Sequence, residues 1–255
     1  MKAVSYELAQ TILKLQNLPS ISKFSLGGGT NLALRYAHRI SIDIDFISSN
    51  IIGMEGFKRI ISDVKAYYGN CLMRSILINE DLGEQYMFLR MFINTGNDTI
   101  KIEFLQNMKC LFAPEIVDGF RLINENDIGI FKLISSSNRF AKKDIYDLDF
   151  ITDNIPLSIL YKQLSEKKKK FNLPEHQSLF DLDTDKNLLD DPGLLLKFDE
   201  SCESELHRPM HTHDRIDIVE SSKSWNEARL SWRMKVRQLF TNLGKEFPKS
   251  QGKHI

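Results

Sequence analysis

Two aspartates, Asp43 and Asp45, stand two residues apart in Ser41-Ile-Asp-Ile-Asp-Phe-Ile47. In an extended strand, residues i and i+2 share a face and lie about 7 Å apart at Cα. The pair therefore presents its carboxylates together, a set that suits a divalent cation with oxygen ligands. The same alternation sends Ile42, Ile44 and Phe46 towards a core. Taken alone, such a pair more often describes the solvated side of an edge strand. Upstream, Leu26-Gly27-Gly28-Gly29-Thr30 places three glycines between a strand and a helix. The backbone there can approach a ligand closely, and the first N–H groups of the helix suit an anion such as a phosphate. Thr30 could add a hydroxyl donor. Downstream, Thr99-Ile-Lys-Ile-Glu-Phe-Leu105 sets Glu103 opposite Ile100, Ile102 and Phe104. If the two strands are neighbours, three carboxylates converge at a phosphate-binding turn. Such a set can hold two Mg²⁺ ions about 3.5–4 Å apart, orienting a triphosphate and stabilising both attacking and leaving oxygens.

The elements that must position these groups are legible from periodicity. Ser5 to Leu15 spaces its apolar residues as a short helix, Lys23 to Leu26 is a brief strand, and Thr30 to His38 is a helix. Ser41 to Ile47 is a strand and Gly56 to Tyr68 an amphipathic helix. Cys71 to Ile78, Gln85 to Ile93 and Thr99 to Leu105 are further strands, the last two joined at Thr95-Gly96-Asn97-Asp98. After Pro114 the pattern turns helical: Glu125 to Arg139, a helix starting near Asp144, and Pro156 to Phe171. A last helix, Ser224 to Leu243, aligns Trp225, Ala228, Trp232, Val236, Phe240 and Leu243 on an apolar stripe, most simply a core face. The expected fold is α+β, with residues 1–113 forming a mixed sheet with flanking helices and 114–255 a helical C-terminal region. Within the latter, 174–205 is acidic and irregular.

Composition bounds the alternatives. The chain has 255 residues, with 34 Lys+Arg against 34 Asp+Glu and 42% hydrophobic residues, which excludes a chain disordered throughout. The charge is regional: residues 1–110 carry 12 basic and 10 acidic groups, 174–205 carry 2 and 10, and 206–255 carry 10 and 5. Uncharged apolar stretches fall short of the ~20 residues needed to cross a bilayer. No secretory signal opens the chain, and Cys71, Cys110 and Cys202 are odd in number, so a cytoplasmic protein without membrane association is expected. The lack of G-x4-G-K-[ST] argues against a P-loop kinase.

The glycine turn, the Asp-x-Asp strand and the single-carboxylate strand, in that order, resemble a known family. Gly28-Gly29, a spacer of 13 residues and then Asp43-x-Asp45 is similar to the signature of the DNA polymerase β-like nucleotidyltransferases. The fuller pattern, Gly-Gly-Thr30, Leu32-Ala-Leu34 and Arg39-x-Ser41-x-Asp43-x-Asp45-Phe46, resembles the AbiEii/AbiGii toxin branch. So does a second block, Asp127-Ile-Gly-Ile-Phe-Lys-Leu133, Arg139 and Lys143-Asp144-Ile-Tyr-Asp147-Leu148. The chain departs from the branch at Ala37 and Lys143, where the family often carries Gly and Arg. The resemblance implies an Mg²⁺-dependent enzyme, with Mn²⁺ as an alternative ion, that moves an NMP from an NTP to an acceptor. RNA, tRNA 3′ ends included, is the implied acceptor, and the implied setting is a toxin–antitoxin or abortive-infection module with a cognate antitoxin.

It further implies roles residue by residue. Gly28, Gly29 and Thr30 would cradle the phosphates, and Asp43 and Asp45 would ligate the metal. Glu103 would be a third ligand or the base, Lys132 would neutralise the triphosphate, and Asp144 would sit at the edge. Lys132, Arg139 and Lys143 share one helical face if their helix runs on, as a nucleotide-binding stripe or a merely solvated one. His38 and Arg39 could place phosphates or serve structure. Lys167 to Lys170 reads as a solvated helix end or an RNA contact. His207, His211 and His213, with Cys202, have zinc-ligand chemistry at an uncommon spacing and more simply belong to a surface loop. The competing class is a catalytically silent nucleotide- or RNA-binding module. Three mutually repelling carboxylates argue against it, since a site without metal chemistry has no need of them.

Overall fold

The computed structural model describes residues 3–96, 98–182, 187–198 and 215–248. Helix α1 (Tyr6–Gln16) starts at Ser5, whose side chain accepts from the Leu8 N–H, and buries Leu8, Ile12 and Leu15. A two-residue strand β1 (Ser25–Leu26) leads through Gly27 into α2 (Gly28–Tyr36). Ala37 closes α2 in the left-handed region, φ +51°, a position ordinarily given to glycine. Strand β2 (Ile44–Ile47) is shorter than the alternation predicts, and α3 (Gly53–Tyr68) follows. Strands β3 (Leu72–Ile78), β4 (Phe88–Asn94) and β5 (Thr99–Leu105) come next, then β6 (Glu115–Val117) and β7 (Phe120–Leu122).

All seven strands form one mixed sheet, ordered β3-β4-β5-β2-β1-β7-β6, in which β2 runs parallel to β5 and β1 to β7. The sheet thus draws its last two strands from beyond residue 113. Among the described residues beyond β7 stand four α-helices: α4 (Glu125–Arg139), α5 (Lys142–Asn154), α6 (Leu157–Lys170) and α7 (Trp225–Asn242). This α+β architecture, a mixed sheet with a helical C-terminal region, is the expected one.

Period-two alternation divides the interior into two cores. Ile44, Phe46, Ile102 and Phe104 point to one face, packed with Ile12 of α1 and Phe57 and Ile60 of α3. Ile47, Leu105 and Phe88 point to the other, packed with Ile128, Leu148, Leu160 and Trp232 of the C-terminal helices. Asp45 and Glu103 belong to this second face by parity, so they look towards α4 and α5. Ile42 departs from the expectation of a core residue. It precedes β2 and is 71% exposed, because the strand begins only at Ile44.

The described part of the acidic stretch after 174 has no long helix or strand and is packed rather than loose. Three 3₁₀ turns, Pro174–His176, Leu179–Asp181 and Pro192–Leu196, bury Leu179, Leu194 and Leu195. The leucines spaced between its acids seal the second core. Helix α7 buries Ala228, Trp232, Val236 and Phe240 of the expected stripe, with Leu243 at its more exposed end. Among the described residues no helix is long and apolar enough to cross a membrane.

Candidate active site

A cavity of about 150 Å³ opens on the second sheet face. Its walls are Gly28 and Gly29 of α2, Asp43, Asp45 and Glu103 from the sheet, and Lys132, Arg139, Lys143 and Asp144 from the helices. These are nine of the ten site residues expected from sequence. The register explains the sheet wall: Asp45 stands directly beside Glu103 in the parallel β2–β5 pair, and Glu103 stands opposite Arg90 across β5–β4. The three side chains form one row across three strands, with Asp43 just ahead of β2.

The glycines are required by side chains as much as by any ligand. A Cβ on Gly28, φ +60°, would lie 1.9 Å from Asp45 Oδ2, and one on Gly29 would lie 2.1 Å from an Arg39 guanidinium nitrogen. Their absence lets the Asp45 carboxylate close on the first turn of α2, where N–H groups have no acceptor within the helix. Thr30 corrects the sequence reading. It is 1% exposed and does not line the cavity; its hydroxyl donates to the main-chain oxygen of Asp43 and hydrogen-bonds Ser41 Oγ at 2.8 Å. Thr30 therefore fixes the approach to the Asp-x-Asp strand, and the helix start must do without its hydroxyl.

The carboxylates of the sheet are only partly compensated. Arg90 Nε donates to Glu103 Oε1 at 2.7 Å, and Lys101 Nζ lies 3.4 Å from Asp43 Oδ2 and 3.5 Å from Glu103 Oε2. Burial pushes the Asp43 carboxyl above its ordinary value, and Asp45 adds repulsion against the opposing pull of Lys101. Burial and then Asp45 likewise raise Glu103, despite Lys101 and Arg90. Burial alone would lower Lys101, but Asp45, Glu103 and Asp43 together raise it.

The helical wall is the opposite case. Helix α4 ends at Arg139, with Phe140 left-handed (φ 54°), and α5 starts afresh at Lys142, so Lys132, Arg139 and Lys143 do not share one continuous helix. The break turns Asp144 back onto α4. Lys132 Nζ lies 2.8 Å from Asp144 and 2.6 Å from Asp147, while Arg139 Nε donates to Asp144 at 2.6 Å. Asp144 is wholly buried rather than at an edge, and Lys132 is a clasp between two carboxylates rather than a lone charge. Burial would raise both acids, but Arg139 and Lys132 hold Asp144 below the usual carboxylate range, and Arg39 and Lys132 hold Asp147 well below it.

Asp147 carries more than the sequence reading gave it. His38 Nε2 approaches it at 2.7 Å, and Arg39 grips it through Nε at 2.6 Å and a terminal nitrogen at 2.8 Å. The chain leading into β2 is thereby tied to α5. His38 is thus structural, and Arg39, which also lines the cavity, both ties and lines. The signal was present as Asp144 and Asp147 at i and i+3 of one helix, but Asp147's partners His38 and Arg39 lie more than a hundred residues upstream.

The cation stripe Lys167 to Lys170 is not uniformly solvated: Lys167 is 9% exposed. Residues 202–213, with the candidate zinc ligands Cys202, His207, His211 and His213, lie outside the described residues.

A glycine-led helix start facing an Asp-x-Asp strand and a third carboxylate, on a mixed sheet backed by helices, defines a nucleotidyltransferase. Known proteins resemble this chain in fold and in sequence. The nucleotidyltransferase toxin MenT4 of Mycobacterium tuberculosis H37Rv shares the fold, with a TM-score of 0.50 at 15% identity, covering 92% of this chain and 80% of that one. A protein of H. pylori assigned as a nucleotidyltransferase superposes with a TM-score of 0.48 at 17% identity over 92% of this chain and 95% of its own. An uncharacterized protein of Aquifex aeolicus is 28% identical over 154 residues, 59% of this chain and 68% of that protein. Residues 13–213 match the model of the nucleotidyl transferase AbiEii toxin of type IV toxin–antitoxin systems, and the chain belongs to that family.

Proposed function

We propose that this toxin nucleotidyltransferase moves an NMP from an NTP to an RNA hydroxyl, with a tRNA 3′ end as the leading acceptor, and that Asp43, Asp45 and Glu103 carry the reaction. The observation supporting this reading is that the three carboxylates share one cavity with the first turn of α2. The oxygen-only donor set fits Mg²⁺, or Mn²⁺ in its place. Among the described residues no three His, Cys, Asp or Glu side chains are drawn together as a metal cage, and Lys101 stands by Asp43 and Glu103 as the local counter-ion. Burial, together with repulsion from Asp45, raises Asp43 and Glu103, and a divalent cation would relieve that repulsion. Asp43 and Asp45 would hold it, with Glu103 beside them, and when bound it supplies charge neutralisation for the triphosphate.

The chain's own groups do the rest. N–H groups of Gly28 and Gly29 receive phosphate oxygens at the positive end of α2. Lys143, on the cavity wall, adds positive charge beside Asp43. Glu103, with one oxygen held by Arg90, accepts the acceptor hydroxyl's proton on the other. The hydroxyl oxygen then bonds to the α-phosphorus as the bond to pyrophosphate breaks. In the cell this activity would act in the cytoplasm, opposed by a cognate antitoxin, in phage defence by abortive infection.

Incubating the protein with Mg²⁺, each labelled NTP in turn and total RNA tests the reading. Label in one RNA size class, with pyrophosphate released, is expected. Labelled protein with unlabelled RNA would move the acceptor to polypeptide.

A further inference from the structure

A second pocket adjoins the active-site cavity, sharing Met108, Phe131 and Phe180 with it. It holds an unusual concentration of polar atoms without partners. Asn107 Oδ1, Lys167 Nζ and His176 Nδ1 are all buried and, among the described residues, none has a hydrogen-bond partner. The amide of Asn107 is fixed, since its nitrogen donates to the carbonyls of Glu175, at 3.1 Å, and Gln177, at 2.6 Å, so its oxygen can only be an acceptor. Lys167 is a pure donor. Its ammonium sits 3.8 Å from the centroid of Phe131, and among the described residues no carboxylate lies in ion-pair reach. Burial lowers its pKa to about 8, so it is still largely charged at neutral pH.

The walls between these atoms are aromatic. Phe131 and Phe180 stack at 6.2 Å with 20° between planes, and Phe171 meets His176 edge-on at 5.5 Å. An inorganic anion would satisfy Lys167 but leave the Asn107 oxygen repelled. A hydrocarbon would satisfy none of the three. A planar heterocycle with carbonyl acceptors and amino or imino donors on its edge answers both kinds of orphan while lying against phenyl rings.

We propose that this pocket is a nucleobase subsite of the nucleotidyltransferase. Base binding follows from the pocket alone; only which reactant delivers the base, NTP or RNA acceptor, rests on the transfer reaction proposed above.

Nucleoside monophosphates are the probe, with ribose 5-phosphate as the control lacking a base. Calorimetry should show at least one monophosphate binding at least tenfold more tightly than ribose 5-phosphate, and Lys167→Met should remove at least tenfold of that affinity. In the unsubstituted protein, saturating monophosphate should shield Lys167 from acetic anhydride, read by peptide mass, and ribose 5-phosphate should not. This second measurement decides the matter if the variant folds poorly. Where turnover is measurable, a higher KM for NTP in Lys167→Met assigns the base to the donor and a higher KM for RNA assigns it to the acceptor. Equal binding of monophosphate and ribose 5-phosphate, or undiminished affinity in Lys167→Met with Lys167 unshielded, overturns the proposal. Absence of turnover with any NTP would count against the transfer reaction and leave the binding result standing.

Discussion

The two walls of the cavity are built from the same residue types and do opposite things with them. On the sheet side, Asp43 and Glu103 meet Lys101 and Arg90 at distances from 2.7 to 3.5 Å, while Asp45 lies within electrostatic reach of Lys101, Arg39 and Arg139 and repels both other acids. On the helices, Asp144 and Asp147 face three cations, Lys132, Arg139 and Arg39, at 2.6 to 2.8 Å, with His38 as a further partner. Asp43 and Glu103 are consequently pushed up in pKa, while Asp144 and Asp147 are held down. On the sheet side burial and mutual repulsion outweigh the nearby cations, whereas on the helices the cations outweigh burial. Acid content alone does not tell a reactive site from a brace; the local balance of charge does.

The largest effect is expected on the sheet. Asp43→Ala or Asp45→Ala should reduce nucleotide transfer to background while the melting temperature holds, because each removes a donor from the cavity wall and opens no apolar void. Wild-type turnover in either folded variant would erase the functional distinction between the walls.

On the helices the same kind of substitution should act on stability. Asp147→Ala strands Arg39 and His38 in a buried setting and leaves Lys132 with Asp144 alone, a loss of ~3–5 kcal/mol, or roughly 10 °C in melting temperature for a chain of this size. Because Asp147 is depressed below 3.8, its contribution is complete above that pH and fades as pH falls towards its lower folded-state value. Denaturant melts of variant and parent should therefore converge in strong acid. A variant as stable as its parent at pH 7 would show that this wall is no brace.

Glu103→Gln sharpens the contrast within the sheet. The amide oxygen can still accept from Arg90, but the base is gone, so turnover should fall at least ~100-fold with NTP binding kept within a few-fold. The sign of its pH effect is opposite to that of Asp147. The carboxyl is raised above 4.5, so its ionisation penalises the fold at higher pH and the penalty vanishes as pH falls below the unfolded value. The variant should be at least as stable as the parent at pH 7, with the advantage shrinking towards pH 4. Undiminished turnover would remove Glu103 from the chemistry.

The smallest effect belongs to Lys101. Lys101→Met removes the counter-ion beside Asp43 and Glu103, so Mg²⁺ should bind the free protein several-fold more tightly by calorimetry. Weaker binding would mean that the ammonium assists the site rather than holding it in reserve.

Most of the cavity's lining was legible before the fold was known, for reasons that are local. Gly28, Gly29, Asp43, Asp45 and Glu103 lie in short segments whose chemistry follows from strand parity and helix starts, and parity survives any error in strand length. Ile42 shows where the reasoning stops: alternation gives a direction, but whether a strand has yet begun depends on its neighbours. The role of Thr30 was misjudged for a related reason. A hydroxyl at a helix start reads as a phosphate donor until the chain 11 to 13 residues later folds over it.

The sequence by itself determined the family, the α+β class, the shared face of Asp43 and Asp45, and the periodicity that buries Ala228, Trp232 and Val236. Only the tertiary structure decided that β2 lies parallel to β5 with Asp45 beside Glu103, and that His38, Arg39 and Lys132 converge on Asp147 across separations of up to 109 residues. It alone also decided that Lys167 is buried over Phe131 rather than solvated with its neighbours. The division has one physical cause. Side-chain direction within an element is set by backbone geometry over a few residues, whereas the partner that neutralises a charge is set by the packing of elements distant in the chain, and pairing is what separates a reactive carboxylate from a structural one.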